Sequence, residues 1–174
     1  MMDLLMSLEE ARFSTWIRES PSFFAYPLFL LLHTIGLGMV VGVSSAIDLR
    51  ILGFAARMPL KPMERFFPFM WFGFWINAIS GVVLLAASAT TKGMSGVFWI
   101  KLALIGLAVI DLKLIKDHVF GDPLLDKRPV SFNGRAMALL SILLWAGAIT
   151  AGRLMAYIGA GAAESNISAL IGLQ

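Results

Sequence analysis

Residues 21–49, PSFFAYPLFLLLHTIGLGMVVGVSSAIDL, form an apolar run that is long enough to cross a membrane. A transmembrane helix needs roughly 20 such residues, and no Asp, Glu, Lys or Arg interrupts this run before Asp48. His33 lies near its middle. Because a titratable side chain is costly in hydrocarbon, a histidine at this position is a candidate functional residue.

The rest of the chain has the same apolar character. Of its 174 residues, 59% are hydrophobic and 14% are charged, and the mean hydropathy is +0.83. A soluble domain has about half apolar and a quarter charged residues, so the composition indicates a membrane protein. The chain has no cysteine, which excludes disulfides, iron–sulfur clusters and covalently attached c-type haem.

Four apolar stretches of about 20 residues predict an all-α fold, a four-helix transmembrane bundle. We expect the spans at 22–47, 66–89, 97–116 and 136–158. The transmembrane domain then covers 21–159. It follows an interfacial N-terminal segment, 1–20, and precedes a flexible C-terminal tail, 160–174.

Local signals predict where the first two helices begin. Ser7 and Glu10 match the S-x-x-E capping box, which predicts a short interfacial helix at the N-terminus. Ser20 and Pro21 are typical of a helix start, so the first span is expected to begin there. Pro27 would then lie inside the helix and kink it.

Basic residues are distributed unevenly between the two sides of the predicted bundle. Five of the fourteen lie on the side of the termini, and nine lie on the side of the two long loops. The positive-inside rule therefore places both termini on the non-cytoplasmic side of a bacterial inner membrane. The nine are Arg50, Arg57, Lys61, Arg65, Lys113, Lys116, Lys127, Arg128 and Arg135.

The first span has two distinct faces. At 100° per residue, Gly36 shares a face with His33, whereas Gly38 and Gly42 lie on the opposite side. Small residues spaced as G-x-x-x-G let another helix approach closely. We therefore expect tight helix packing on the Gly38–Gly42 face and His33 presented on the other.

His33 has three interpretations. As a haem or metal ligand, it would be a neutral imidazole whose second nitrogen is hydrogen-bonded. As a proton carrier or quinone partner, it would need a polar neighbour. As a structural residue, it would bond to another helix, for example to Asn77 in the second span or to a serine.

Three polar residues are expected near the outer surface. Lys101 lies a few residues inside the third span, and Arg153 and Tyr157 lie one turn apart at the end of the fourth. They would act as interfacial anchors. Alternatively, the two cations would bind an anion such as a haem propionate or a lipid phosphate.

Two further groups are predicted at the cytoplasmic ends of the helices. Asp48 and Asp111 each have a basic residue two positions later, Arg50 and Lys113, which favours solvated ion pairs over a proton path. His118 is expected at the interface, where the helix dipole favours a cation. Asp117, His118 and Asp122 form only a weak metal-binding pattern.

The two histidines cannot share one haem within a single chain. At 1.5 Å per residue, His118 lies about 15 Å deeper than His33 along the bundle, too far for two axial bonds. A haem at His33 would therefore need a methionine, a water, or His33 of a second copy as its other ligand. A two-fold axis along the membrane normal would place both copies of His33 at equal depth.

Short motifs carry a resemblance to a bacterial family. They are LLHTIGLGMVVG with His33, NAISG with Asn77, FWIKLAL with Lys101, and GRLMAYIG with Arg153 and Tyr157. From Trp16 to Gly159 the chain resembles the uncharacterised four-helix inner-membrane proteins grouped as a domain of unknown function. It is more loosely similar to copper-resistance D-type domains and to small cytochrome-b-like bundles. The resemblance implies the four-helix fold, those five residues as the site, and haem b or copper as the cofactor.

These features favour a membrane redox or metal-cofactor protein. His33 would bind haem b or copper, and Lys101 and Arg153 would balance the charge above it. The alternatives are a structural accessory subunit without a cofactor and, less favoured, a small transporter. The expected partners are the lipid bilayer and a second copy or a larger membrane complex, without nucleic acid. No G-x-S-x-G, phosphate-binding glycine loop or H-E-x-x-H motif is present, so electron transfer or a structural role is favoured over hydrolysis.

Overall fold

The computed structural model describes residues 2–170, apart from the side chains of residues 3, 4, 156 and 158–170. Within that range the chain is all-α and contains no β-strand, which confirms the predicted class. A 3-10 helix, Lys61–Phe66, leads into the fourth α-helix, and a π-helical segment, Lys116–Phe120, extends the sixth. The α-helices are α1 (Met2–Glu10), α2 (Arg12–Glu19), α3 (Tyr26–Leu52), α4 (Phe67–Ala86), α5 (Ala89–Gly93), α6 (Gly96–Ile115) and α7 (Phe132–Leu170).

Helices occupy all four positions predicted for spans, as α3, α4, α6 and α7. Among the described residues, three stretches are long and apolar enough to cross a membrane: Tyr26–Leu52, Lys61–Ala86 and Phe132–Met155. Such helices are typical of a membrane protein. The fourth, α6, also has 20 residues but carries three charged side chains. α7 continues over 160–170 of the predicted tail, whereas 171–174 lie outside the described residues.

The first long helix begins later than the sequence predicted. α3 starts at Tyr26, so Pro27 lies in its first turn rather than in its interior, and Ser20 instead ends α2. Proline has no N–H to donate, and only the first turn of a helix tolerates that loss without breaking a bond. A start at Pro21 would have placed Pro27 where the helix needs its N–H.

The N-terminal segment forms two short helices instead of one. Ser7 lies inside α1, so the predicted capping box is wrong, and the chain turns at Ala11 before α2. α1 docks on α5 through Glu9, whose carboxylate accepts hydrogen bonds from the Thr90 backbone N–H at 2.8 Å and its hydroxyl at 2.5 Å. Glu9 also pairs with Arg18 of α2 at 3.2 Å.

Two helix pairs, α3 with α4 and α6 with α7, make up the body of the fold, and α3 joins them by packing on α7. The core lies along these contacts, mainly in the half of the bundle away from α5. Its buried apolar residues are Val40, Ile47, Ile51, Leu60, Phe67, Met70, Ala108, Leu112, Ile115, Val119, Phe120, Ala138, Leu144 and Trp145.

α3 has glycines on two faces, and the face that packs tightly against another helix is the one that also carries His33. A Cβ built on Gly36 would lie 2.6 Å from the Asn77 backbone nitrogen and 2.7 Å from the Gly73 carbonyl oxygen. By contrast, no described atom lies within 4 Å of a Cβ on Gly38 or Gly42. The predicted packing face is therefore wrong, because the backbones of α3 and α4 meet at Gly36 and Gly73.

The two long loops at the other end of the bundle are joined by one carboxylate. Asp126, in the loop after α6, accepts hydrogen bonds from the backbone N–H groups of Leu60 at 2.6 Å and Lys61 at 2.9 Å. These N–H groups begin the 3-10 helix and have no helical acceptor of their own. Asp126 thus caps that helix and fixes the entry to α4.

Replacing Gly36 should destabilise the fold. In Gly36→Ala the new methyl group would overlap backbone atoms of α4, and overpacking of this kind costs roughly 1–3 kcal/mol. The matched control is Gly38→Ala, which has open space around it and should be neutral or slightly stabilising because alanine favours helix. Thermal unfolding in detergent measures both variants, and equal stabilities would contradict the α3–α4 crossing.

The docking of α1 should weaken in acid. Hydrogen bonds from Thr90 hold the pKa of Glu9 below its usual range. Their stabilisation is therefore complete above the usual carboxyl pKa and is lost as pH falls through the lowered value. We expect the melting temperature of the wild type to fall over that acid range more than that of Glu9→Gln. Glu10→Gln is the control and should behave like the wild type. If the wild type and Glu9→Gln showed the same acid dependence, ionisation of Glu9 would not contribute to stability.

Candidate functional site

A cavity of about 520 Å³ lies beside α5, a size usual for small-molecule and cofactor sites. It is bounded by the first turns of α3 and α6, the last turns of α4, and residues 152–155 of α7. We call it the α5 cavity. Its lining residues are Tyr26, Leu30, His33, Gly81, Leu84, Leu85, Ser88, Thr91, Lys92, Ser95, Phe98, Lys101, Gly152 and Met155.

His33 and Asn77 bind each other across the α3–α4 contact. The imidazole Nδ1 lies 2.9 Å from the Asn77 carbonyl oxygen, and the Asn77 side-chain amide donates to the His33 carbonyl oxygen at 2.7 Å. Each side chain therefore binds the main chain of the other residue. The hydroxyl of Ser80 lies 3.3 Å from the same Nδ1 and donates to the Ile76 carbonyl oxygen at 2.6 Å.

These contacts determine which ring nitrogen of His33 carries the hydrogen. A carbonyl oxygen can only accept a hydrogen bond, so Nδ1 must donate to Asn77. In the neutral ring, Nε2 then keeps its lone pair, and no described protein group hydrogen-bonds it. Metal-ligating histidines have this arrangement, with the second N–H held by a carbonyl or a carboxylate. The ring of His33 is thus oriented as a ligand would be.

Gly81 lets the ring of His33 lie directly against α4. A Cβ at this position would lie 3.0 Å from Cε1 and 3.3 Å from Nδ1 of the imidazole. Any larger residue would push the ring away from the Asn77 carbonyl. Gly81 therefore belongs to the site, although nothing in the sequence pattern assigned it a role there.

Two lysines bring positive charge to the α5 cavity. Lys101 extends along α7, where a Cβ on Gly152 would lie 3.6 Å from its Nζ, and it forms no ion pair or hydrogen bond with the described residues. Lys92 donates to the Leu84 carbonyl oxygen at 3.2 Å. Burial and the neighbouring Lys101 lower the pKa of Lys92. Without a carboxylate in the lining, these cations favour an anionic ligand.

The structure brings together only some of the residues predicted for the site. His33 and Lys101 line the cavity, and Asn77 positions His33. Arg153 and Tyr157 are exposed on α7 and do not line it. Lys92 occupies the position of second cation that the sequence had suggested for Arg153. Lys92 lies in the short helix α5, between two predicted spans, and no sequence pattern indicated that this segment lines a cavity.

Among the described side chains, Met155 is the methionine that lines the α5 cavity together with His33. It lies on α7, three residues beyond Gly152, and so on the same side of that helix as the contact with Lys101. A thioether is a soft ligand for haem iron or Cu(I). The α5 cavity therefore holds one imidazole and one thioether on opposite helices.

His118 lies at the far end of the bundle, in the π-helical segment. It is exposed, and its Nδ1 lies 3.0 Å from the Leu114 carbonyl oxygen. No group of three or more metal-binding residues forms among the described side chains, so Asp117, His118 and Asp122 do not assemble one. Asp122 pairs instead with Arg128 at 2.6 Å.

Asp48 and Asp111 are buried, which corrects the prediction of solvated ion pairs. Asp48 is 1% exposed and Asp111 is 3% exposed. Arg50 turns away and donates to main-chain carbonyl groups of the loop after α3, and Lys113 forms no ion pair with Asp111. Asp48 lies on the face of α3 that packs on α7, so its neighbours along the chain do not define its surroundings.

Comparison of the chain with protein-family models finds no match, and comparisons with curated proteins and with solved structures also find none. Evidence for function therefore has to come from the geometry of the chain itself.

Asn77→Ala tests the α3–α4 clamp. The variant loses the amide that binds the His33 carbonyl but keeps its own carbonyl for Nδ1, so the free energy of unfolding should fall by about 1 kcal/mol. Asn133→Ala, on the exposed start of α7, is the control and should be neutral. Reversible unfolding in detergent measures the difference. If Asn77→Ala were as stable as the control, the bond would contribute nothing.

Proposed function

We propose that the chain is a four-helix integral membrane protein that binds haem b in the α5 cavity, with Nε2 of His33 as an axial ligand. The observation that carries this proposal is the hydrogen bond from Nδ1 of His33 to the Asn77 carbonyl oxygen. This bond leaves the lone pair of Nε2 free to bind a metal ion. His33 also lines a cavity whose volume is usual for cofactor sites. Bound there, haem would supply one-electron transfer.

The charges of α6 are compatible with a fourth membrane span. Lys101 reaches the α5 cavity, Asp111 is buried against the protein, and Lys113 lies in the last turn of the helix. None of the three has to face hydrocarbon at mid-membrane. The asymmetry of basic residues supports an orientation with the α5 end and both termini on the non-cytoplasmic side of a bacterial inner membrane.

The lining charges favour haem over copper. Lys92 and Lys101 repel a bare copper ion, whereas they attract the two propionate carboxylates of haem. A Cu(I) site would also need several soft ligands, and Met155 is the one described thioether beside His33.

Met155 supports one haem per chain. It shares the cavity with His33, and both belong to the same chain. A haem shared between His33 residues of two copies would require the ring to face outward between protomers. Because His33 instead packs against Gly81 of its own α4, the shared arrangement is less favoured. A homo-oligomer or a larger complex stays compatible with either arrangement.

The second candidate is a structural accessory subunit without a cofactor. The reciprocal bonds between His33 and Asn77 favour it, because they satisfy a hydrogen bond of each residue without any ligand. A subunit of this kind would co-purify with partners in fixed proportion and without a chromophore.

Visible spectra of the protein purified in mild detergent test the proposal. We expect a Soret band and sharp reduced α and β bands after dithionite, with one haem per chain. His33→Ala should lose the haem, and His118→Ala, which removes the distant exposed histidine, should keep it.

Two lysine variants separate the charge effect from a general loss of fold. Lys101→Gln should weaken haem binding, and Lys113→Gln on the same helix should not.

Unchanged haem content in His33→Ala would overturn the assignment, and a protein without haem that co-purifies with partners would support the structural candidate. Half a haem per chain would indicate the site shared between two copies of His33.

A further inference from the structure

A second polar cluster lies deep in the bundle, between α3 and α7. One carboxylate oxygen of Asp48, Oδ2, accepts hydrogen bonds from the hydroxyls of Ser44 at 3.2 Å and Ser141 at 2.6 Å. The two hydroxyls lie 3.2 Å apart. All three side chains are at most 1% exposed. Asp48 therefore has two donors on one oxygen and is closed off from solvent.

Three buried polar atoms in this region have no hydrogen-bond partner among the described residues: Oδ1 of Asp48, Oδ2 of Asp111 and the indole nitrogen of Trp145. Their residues are 1%, 3% and 4% exposed, respectively. Such atoms are rare in proteins, because each unpaired buried group carries its full desolvation cost. Trp145 lies four residues after Ser141, on the same face of α7.

The antiparallel register of α6 and α7 brings Asp111 to the same level as this cluster. A Cβ built on Gly152 would lie 3.6 Å from Nζ of Lys101, and one built on Gly147 would lie 3.3 Å from Cδ1 of Leu104. Continuing that register at 1.5 Å per residue along both helices places Asp111 opposite Ser141. Since Ser141 binds Asp48, the two buried carboxyls lie at about the same depth in the bundle.

Among the described residues, no Lys, Arg or His side chain forms an ion pair with Asp48 or Asp111. α4 has no titratable side chain, and Asp48 and Asp111 take part in no ion pair. The cations of the neighbouring helices and loops point elsewhere: Arg50 binds loop carbonyls, Lys116 lies over the Phe67 ring, and Lys113 and Arg135 are exposed. Two uncompensated buried charges would be strongly unfavourable, so the pair must take up positive charge.

We propose that Asp48 and Asp111 form a proton-binding site inside the bundle, and that Asp48 carries the proton on Oδ1 at neutral pH. Oδ2 already accepts two hydrogen bonds, so a proton on Oδ1 neutralises the buried carboxylate and leaves both of those bonds in place. Asp111 is the second buried carboxyl at this depth, and its unpaired Oδ2 is the other oxygen that can hold a proton. The proton comes from water and no electron moves, so the site does not depend on a cofactor at His33.

A proton is favoured over a metal ion at this site. Both serine hydroxyls point their hydrogens at Asp48 or at each other, so they are occupied as donors. No set of three or more metal-binding side chains occurs among the described residues. A buried carboxyl with hydroxyl donors on one oxygen can hold a proton on the other, whereas the two carboxyls offer too few free oxygens for a cation site.

Infrared difference spectroscopy of the purified protein tests this inference. At neutral pH we expect the carbonyl stretching band of a protonated carboxylic acid, shifted in heavy water and lost when the pH is raised. Asp48→Asn should abolish the band, and Asp111→Asn should change the pH at which it is lost. Asp122→Asn, in the exposed loop after α6, is the control and should leave it unchanged.

Ser141→Ala keeps both carboxyls, so it distinguishes a change at the proton-binding site from a loss of the band that is due to misfolding. It removes the 2.6 Å donor on Oδ2, so the carbonyl band should move to higher frequency without being lost. A wild-type spectrum without the band, or a band unaffected by both Asp48→Asn and Ser141→Ala, would overturn the proposal. Loss of the band on addition of sodium at constant pH would overturn it in favour of a cation site.

Discussion

The close approach of α3 and α4 at Gly36 and Gly73 is the constraint on which the rest of the structure depends. At that separation the side chains of His33 and Asn77 can each reach the main chain of the opposite helix. In a low-dielectric interior such bonds have no competition from water. They fix the rotation of α3 about its axis, and so they determine which of its residues face the cavity and which face α7.

Two polar regions, one with lysines and one with carboxyl groups, follow from this rotation. His33 faces the α5 cavity with Lys92 and Lys101, and Asp48, fifteen residues later on nearly the same face, meets α7. At 1.5 Å per residue the two regions lie about 22 Å apart along α3. One region is basic and open at one end of the bundle, and the other is acidic and closed from solvent.

The helix positions could be predicted because a long apolar segment must satisfy its backbone hydrogen bonds internally. His33 could be singled out for the same reason, as a titratable group in such a segment. The packing face could not, because Gly36, Gly38 and Gly42 are equally small and periodicity does not identify the neighbouring helix. A usable signal was present in the matched spacing: Gly36 follows His33 by three residues, and Gly73 precedes Asn77 by four. In antiparallel helices these pairs fall at one level.

The buried carboxyls were misjudged because charges nearby in sequence were taken as partners. Arg50 is two residues from Asp48, which puts it about 200° around the helix, while Ser141 is 93 residues away and in contact. The cation at Lys92 was missed for a similar reason, since its place in the cavity depends on how the short helix α5 docks. In both cases the decisive neighbour comes from a different helix.

The central claim is that the α3–α4 contact holds His33 with its hydrogen on Nδ1 and its lone pair on Nε2. Nitrogen NMR of the protein labelled with ¹⁵N-histidine tests it directly, because the chain has only two histidines and His118→Ala assigns the second signal. The account predicts a neutral His33 ring protonated on Nδ1, with that signal perturbed in Gly36→Ala. A ring protonated on Nε2 would contradict the account, since Nδ1 could then not donate to the Asn77 carbonyl and Nε2 would not be free to bind iron.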